Sequence, residues 1–256
     1  MICNNLLFIN FAKGLNLRCE MRVYFLLVNV SIAFALCMPF ASARSTMLID
    51  KEPMALYGSE IVFDVFRQNK RVGSHIVRFN QLKRDLRVSS SFELSIDVLF
   101  FTVYRFRYLS EANWRAGAID WIKVNVDDNG EAFSLEAKRI GDVTEIQSDA
   151  GRTHLQGPLF PTNHWNAGVL RATQVLNTLT GKMNNVQIKP RGRERVSTER
   201  GEVDATRYTY SGELETEVWY DENGRWVKMQ FVGKDGIPIE YVCLRCQGPL
   251  LEPEGK

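Results

Sequence analysis

From Tyr57 onward the chain alternates apolar and polar positions with a period of two, the mark of half-buried strands. Ile61, Phe63 and Val65 alternate with Val62, Asp64 and Phe66. The polar turn Gln68-Asn69-Lys70-Arg71 then leads into a second strand carrying Val72, Ile76 and Val77, which predicts a β-hairpin. Leu86–Leu94 and Val98–Leu109 are rich in Val, Phe and Tyr and read as further strands. In the next one Trp121, Lys123 and Asn125 alternate with Ile122, Val124 and Val126. Asn129-Gly130, Asn223-Gly224 and Asp235-Gly236 tolerate positive φ, so each is expected to close a two-residue type I′ hairpin. Leu214–Tyr220, Arg225–Val232 and Ile237–Cys243 then form an antiparallel meander.

One segment departs from this period. Pro161-Thr162-Asn163 resembles a helix start and Gly181 a stop. Between them Trp165, Val169, Ala172, Leu176 and Leu179 recur three or four apart, against Asn166, Arg171, Gln174 and Asn177 on the opposite face. Thr162 or Asn163 is the expected N-cap and Trp165 the core anchor. The expected fold is mainly β: a curved antiparallel sheet or half-barrel of about ten strands packed on one amphipathic helix, with room for an apolar cavity. The Arg-rich stretch Lys189 to Arg200 is expected as a solvated loop or sheet edge, since no glycine-rich phosphate cradle accompanies it.

The longest apolar run lies elsewhere. Val23 to Ala43 follows Arg22 and ends Pro39-Phe40-Ala41-Ser42-Ala43, the order of a secretory signal peptide. Ala41 and Ala43 would occupy the −3 and −1 positions, so cleavage is expected between Ala43 and Arg44. The competing reading is a membrane-anchoring helix, against which Asn29, Ser31 and Pro39 interrupt the run. A lipoprotein signal at Cys37 is disfavoured because Leu36 before it is not small. Met21 is an alternative start that would give a signal of ordinary length. The expected organisation is therefore a signal peptide with a possible upstream extension (1–43), a flexible leader (44–56), one β-rich domain (57–247) and a tail (248–256).

Composition supports a globular chain, with 45% hydrophobic and 24% charged residues. Removal of residues 1–43 takes away Lys13, Arg18, Arg22 and Glu20, which brings the formal net charge from +2 to zero. Bulk electrostatic binding of nucleic acid is then not expected. Of five cysteines only Cys243 and Cys246 remain, and in an exported protein they are expected to form a disulfide.

No strong catalytic or nucleotide-binding motif is present. Asn125, Asp127 and Asn129, with Gly130 and Glu136, reproduce the spacing of a calcium loop. The flanks alternate as strands, so a hairpin turn is the expected reading. Cys243-Leu-Arg-Cys246 has no second pair with which to build a four-ligand zinc site. No metal or cofactor is assigned. Asn163, His164, Trp165 and Asn166 form the densest polar-aromatic cluster and are the candidate ligand-binding residues. His164 is also the centre of a hydrolase reading, with Asn163 or Asn166 orienting a general base, although no nucleophile is placed beside it.

Pro161–Asn166, Asn177-Thr-Leu-Thr-Gly181, Glu217-Val-Trp-Tyr-Asp221, Gly224-Arg-Trp-Val-Lys-Met229 and Ile239-Glu-Tyr-Val-Cys243 together resemble an uncharacterised proteobacterial family of exported β-proteins of unknown function. The resemblance covers nearly all of Tyr57–Gln247. The opening hairpin with Gly73 is similar to periplasmic half-barrels of the lipoprotein-carrier kind. The resemblance implies compartment and shape, and no catalytic residue. The expected function is non-catalytic, periplasmic binding of a hydrophobic or amphipathic ligand such as a lipid, or of an envelope protein. A structural module docking through a sheet edge is the third reading.

Overall fold

The structure is a computed structural model and describes residues 52–248 apart from residues 150 and 234. The proposed cleavage site at Ala43 and Arg44, the apolar run before it and most of the tail lie outside the described residues.

A helical turn, α1 (Pro53–Tyr57), precedes β1 (Glu60–Arg67), β2 (Lys70–Leu82), β3 (Asp85–Val98), β4 (Phe101–Arg115), β5 (Ala118–Asp128), β6 (Glu131–Ile140), β7 (Val143–Ser148) and β8 (Gly151–Gln156). After a crossing segment come β9 (Gln174–Leu176), β10 (Met183–Thr198), β11 (Gly201–Gly212), β12 (Thr216–Asp221), β13 (Trp226–Val232) and β14 (Pro238–Arg245). These make one antiparallel sheet of 14 strands in the order β8-β7-β6-β5-β4-β3-β2-β1-β14-β13-β12-β11-β10-β9. Two meanders are thus joined where β1 pairs with β14, and the sheet does not close.

The hairpin expectation holds in detail only at Asn129-Gly130, where both residues take positive φ (57° and 95°) between β5 and β6. At Asn223-Gly224 the loop is one residue longer. Asp221 N–H donates to the Arg225 carbonyl, Gly224 N–H donates back to the Asp221 carbonyl, and Gly224 sits at φ 80°. Around Gly236 the same pattern recurs, with Gly233 N–H on the Ile237 carbonyl and Gly236 N–H on the Gly233 carbonyl. Both are three-residue loops with glycine in the left-handed position.

The expected amphipathic helix does not form. Only Ala167–Arg171 is helical, as a short 3-10 turn, and Gln174–Leu176 is a strand paired with β10. The cause is local competition for backbone groups. The Asn166 side chain accepts from Gly168 N–H, Asn177 from Leu179 N–H and Thr162 from Thr178 N–H. The N-cap is therefore Asn166, not Thr162 or Asn163. The apolar positions are buried all the same: Trp165, Val169 and Leu176 reach the core from irregular backbone. About ten strands becomes 14, because several strands carry charges at alternate positions and read from sequence as loop.

The last residues of the expected leader, 53–56, fall within a helical turn. Pro53–Tyr57 is helical, Tyr57 is buried, and Gly248 N–H donates to the Leu56 carbonyl, which ties the last of the described residues to α1. From Lys189 to Thr198 the chain is strand, and Glu199 and Arg200 turn into β11. Val186–Thr198 of β10 pairs with β11 alone, so this stretch is a sheet edge with Arg191, Arg193 and Arg195 exposed along it. Pro190 and Gly192 flank a register shift, as expected of residues confined to edges and bulges. The other edge, β8, exposes Arg152 and His154. Neither edge offers the alternating exposed apolar residues that edge docking needs.

Candidate functional site

The crossing segment between β8 and β9 packs against the buried face of the sheet, pinned by tyrosine hydroxyls. Tyr57 Oη donates to the Trp165 carbonyl (2.9 Å) and accepts from Trp226 N–H (2.8 Å). Tyr220 Oη donates to the His164 carbonyl at 2.7 Å, and Tyr108 Oη to Asn163 Oδ1 at 3.3 Å. Burial pushes Tyr57, Tyr108 and Tyr220 above the usual phenol range, so each keeps its proton and remains a donor. At the far side of the segment Gly181 stands against β6 and β7. A Cβ there would meet Ser148 Oγ at 2.3 Å.

Two of the four predicted ligand residues face a cleft. It has a volume of about 420 Å³ and lies at the α1 end of the strands. Its floor is Trp114 and Trp165, edge to face at 5.0 Å, beside Leu86. Leu56 of α1 and Asn166 form parts of the wall. Arg84 in the β2–β3 turn and Arg171 at the end of the 3-10 turn also line it. Both guanidinium-bearing side chains are exposed and have no ion-pair partner among the described residues. Arg115 nearby is different, since it grips Asp85 through two contacts of 2.8 and 2.9 Å. That pairing, with Asn113, holds the Asp85 carboxyl down at about 2. Glu52 lines the cleft as well and supplies its carboxylate.

The other two predicted residues turn away from the cleft. Asn163 is half-buried beneath Tyr108, and His164 is 3% exposed between Tyr210 and Trp226. His164 Nδ1 lies 3.5 Å from Tyr210 Oη, and burial brings its pKa down to about 4. Its hydrogen-bond partners among the described residues are tyrosines, with no carboxylate and no Ser, Thr or Cys nucleophile in reach. The geometry that a base-catalysed hydrolase needs is therefore not assembled around it.

A second buried histidine carries no sequence motif. His75 Nε2 shares a 2.7 Å hydrogen bond with Ser90 Oγ, while its Nδ1 has no partner among the described residues. Phe92, Trp226 and Tyr241 surround the ring. Desolvation first, and then the field of His164, bring its pKa down to about 3. Arg84, Arg171 and Trp114 were also missed. Arg84 sits in an unremarkable turn, Arg171 on the polar face of the expected helix, and Trp114 beyond the end of its expected strand.

The remaining motifs are structural. Asp127 accepts from Gly130 N–H at 2.7 Å and Glu136 pairs with Lys123 at 2.9 Å, so the residues of the calcium spacing are spread along the β5–β6 hairpin. Cys243 and Cys246 are joined by a disulfide at the end of β14. Glu199 accepts from the Cys246 and Gln247 N–H groups and stands 2.9 Å from Cys243 Sγ. With both sulfurs in a disulfide, these three residues lack the thiolates that a metal would take.

The curved, unclosed sheet with its cleft at one end defines a β-barrel-like protein. A crystal structure of a β-barrel-like protein of domain of unknown function DUF1849 from Brucella abortus is similar to it, with a TM-score of 0.54 at 11% identity, covering 74% of this chain and 97% of that one. Residues 63–244 match DUF6134, a domain of unknown function, and the chain belongs to that family. No curated protein matches the chain.

Proposed function

We propose that the protein binds an amphipathic ligand with an anionic group, without chemistry, in the cleft over Trp114 and Trp165. The observation that carries this reading is the composition of the cleft. An indole floor meets two guanidinium groups, Arg84 and Arg171, neither in an ion pair among the described residues, against the one carboxylate of Glu52. A volume of about 420 Å³ lies in the range of small-ligand sites. The ligand's apolar part would lie on the indoles and its acidic head against the guanidinium fork. We place the protein in the periplasm, after cleavage between Ala43 and Arg44. The apolar run with its small-residue exit and the Cys243–Cys246 pair support that compartment. No helix among the described residues is long and apolar enough to cross a membrane.

Native mass spectrometry of the protein purified from its own cells tests the binding. A retained amphipathic anion, lost in Arg84→Ala/Arg171→Ala, is the expected result. Anilinonaphthalene sulfonate should brighten on the unliganded protein and do so less on the double variant. Both side chains are exposed, so thermal stability should hold. Protein that carries no small molecule and ignores the dye removes the proposal. The same spectrum reports the N-terminal residue, and a start other than Arg44 removes the cleavage assignment.

A further inference from the structure

At the opposite end of the strands from the cleft, β3 and β4 run on past their neighbours. The last β2 partner of β3 is Gly73 opposite Leu94, and the first β5 partner of β4 is Asp128 opposite Phe106. Past those pairs the two strands run on as an arm whose base is half-buried at Ser95, Ile96 and Tyr104 and whose outer part, Asp97–Val103, is exposed and reaches about 10 Å at ordinary strand rise. Its tip is apolar and open to solvent: Leu99 is 86% exposed, Phe100 96% and Phe101 73%, with Val98 and Val103 also exposed. Successive residues of a strand point to opposite faces, so this consecutive run is apolar on every side. Leu99 occupies φ 55° in the two-residue turn between Val98 and Phe101. A large apolar residue is locally costly at that position, and nothing in the fold packs against it.

We infer that this arm inserts its tip into the hydrocarbon edge of a lipid bilayer. A one-sided groove or a paired strand would leave half of the tip in water, whereas a bilayer receives all of it. No ionisable side chain lies between Asp97 and Arg105, and the Asp97 carboxylate is taken by the Thr102 hydroxyl at 2.8 Å. At the base Tyr104 is held by Asp128 at 2.6 Å, at the level where interfacial tyrosines sit. Arg105 is exposed there with no ion-pair partner among the described residues, placed for a lipid phosphate. The β5–β6 turn lies at the same level, with Asn129 N–H donating to the Arg105 carbonyl at 2.8 Å. Interfacial elements bury about 5–10 Å, a depth that the exposed part of the arm matches.

The apolar run Val23–Ala43, where retained, would hold the full chain on vesicles by itself, so the readout must be local to the tip. Full-length Phe100→Trp is mixed with vesicles of phosphatidylethanolamine and phosphatidylglycerol, with and without brominated acyl chains. The difference spectrum against the parent chain should shift to the blue and be quenched by the bromine. Adding Leu99→Asp and Phe101→Asp to that reporter should weaken the quenching roughly tenfold or more, with an unchanged circular dichroism melt. No quenching, or equal quenching in the aspartate variant, overturns the proposal. So does a blue shift that grows with protein concentration in the absence of lipid and accompanies a dimer on sedimentation, because the tip then meets a second copy.

Discussion

Lowering the pH from 7 to 5 should cost this domain much of its stability, through two histidines. His75 and His164 are buried in one aromatic cluster around Trp226 and are held neutral, with pKa values of about 3 and about 4. In the unfolded chain both return to about 6.5. Between these limits the unfolded state binds more protons than the folded one, so stability rises with pH and is lost as pH falls below about 6.5. At pH 5 each histidine contributes a loss of about 2 kcal/mol relative to pH 7, together about 4 kcal/mol of a typical total of about 5–15. The carboxylates that the fold holds acidic do not intrude. Asp85 and Asp235 have lowered pKa values through Arg115 and Arg67, and their stabilisation is lost only below about pH 4. Urea unfolding followed by tryptophan fluorescence at pH 7, 6 and 5 measures the slope. His75→Phe should remove about half of it, since phenylalanine suits a site ringed by Phe92, Trp226 and Tyr241 and does not titrate. A change under about 1 kcal/mol between pH 7 and 5, or an equal slope in His75→Phe, would refute the reasoning.

Three further outcomes follow from single contacts. Tyr57→Phe deletes a hydroxyl that serves both the Trp165 carbonyl and Trp226 N–H, leaving two buried groups unpaired, and should cost roughly 2–4 kcal/mol in urea unfolding. Gly73→Ala places a Cβ 2.0 Å from the Glu93 carbonyl oxygen, a backbone atom that moves only if β2 and β3 part, so the cost should exceed about 2 kcal/mol or solubility should be lost. Peptide-resolved thiol labelling of the denatured protein should find neither Cys243 nor Cys246 free without reductant, and reduction should lower stability by about 2 kcal/mol, since the closed loop is short.

Much of the strand pattern is legible without coordinates. The hairpin at Gln68-Asn69, the turn at Asn129-Gly130 and the meander from Leu214 to Cys243 all follow from apolar alternation broken by residues that accept positive φ. Pattern is a poor guide where charge fills the outward positions. The Arg-rich strand β10 buries Val196 and exposes its arginines, and only its pairing with β11 marks it as sheet. It is also a poor guide in the crossing segment, whose apolar residues have helical spacing. There asparagine and threonine side chains take the backbone groups that a helix would use, and tyrosines from α1, β4 and β12 hold the remainder.

The candidate site divides along the same line. Asn163 to Asn166 stand out by composition alone, as a polar-aromatic cluster. That Trp165 and Asn166 face a cleft while Asn163 and His164 face the core depends on tyrosines distant in sequence. Arg84 and Arg171 become partners only because the β2–β3 turn and the 3-10 turn meet at one end of the sheet. The apolar tip at Leu99–Phe101 is visible in the sequence as part of an ordinary β stretch. Its exposure is a tertiary fact, since β2 and β5 stop pairing before the arm ends. Local chemistry determined most of the strands, the positions of the turns and the disulfide pair, because each depends on near neighbours. Which apolar residues are covered depends on the register of strands far apart in the chain, and only the folded sheet decided it.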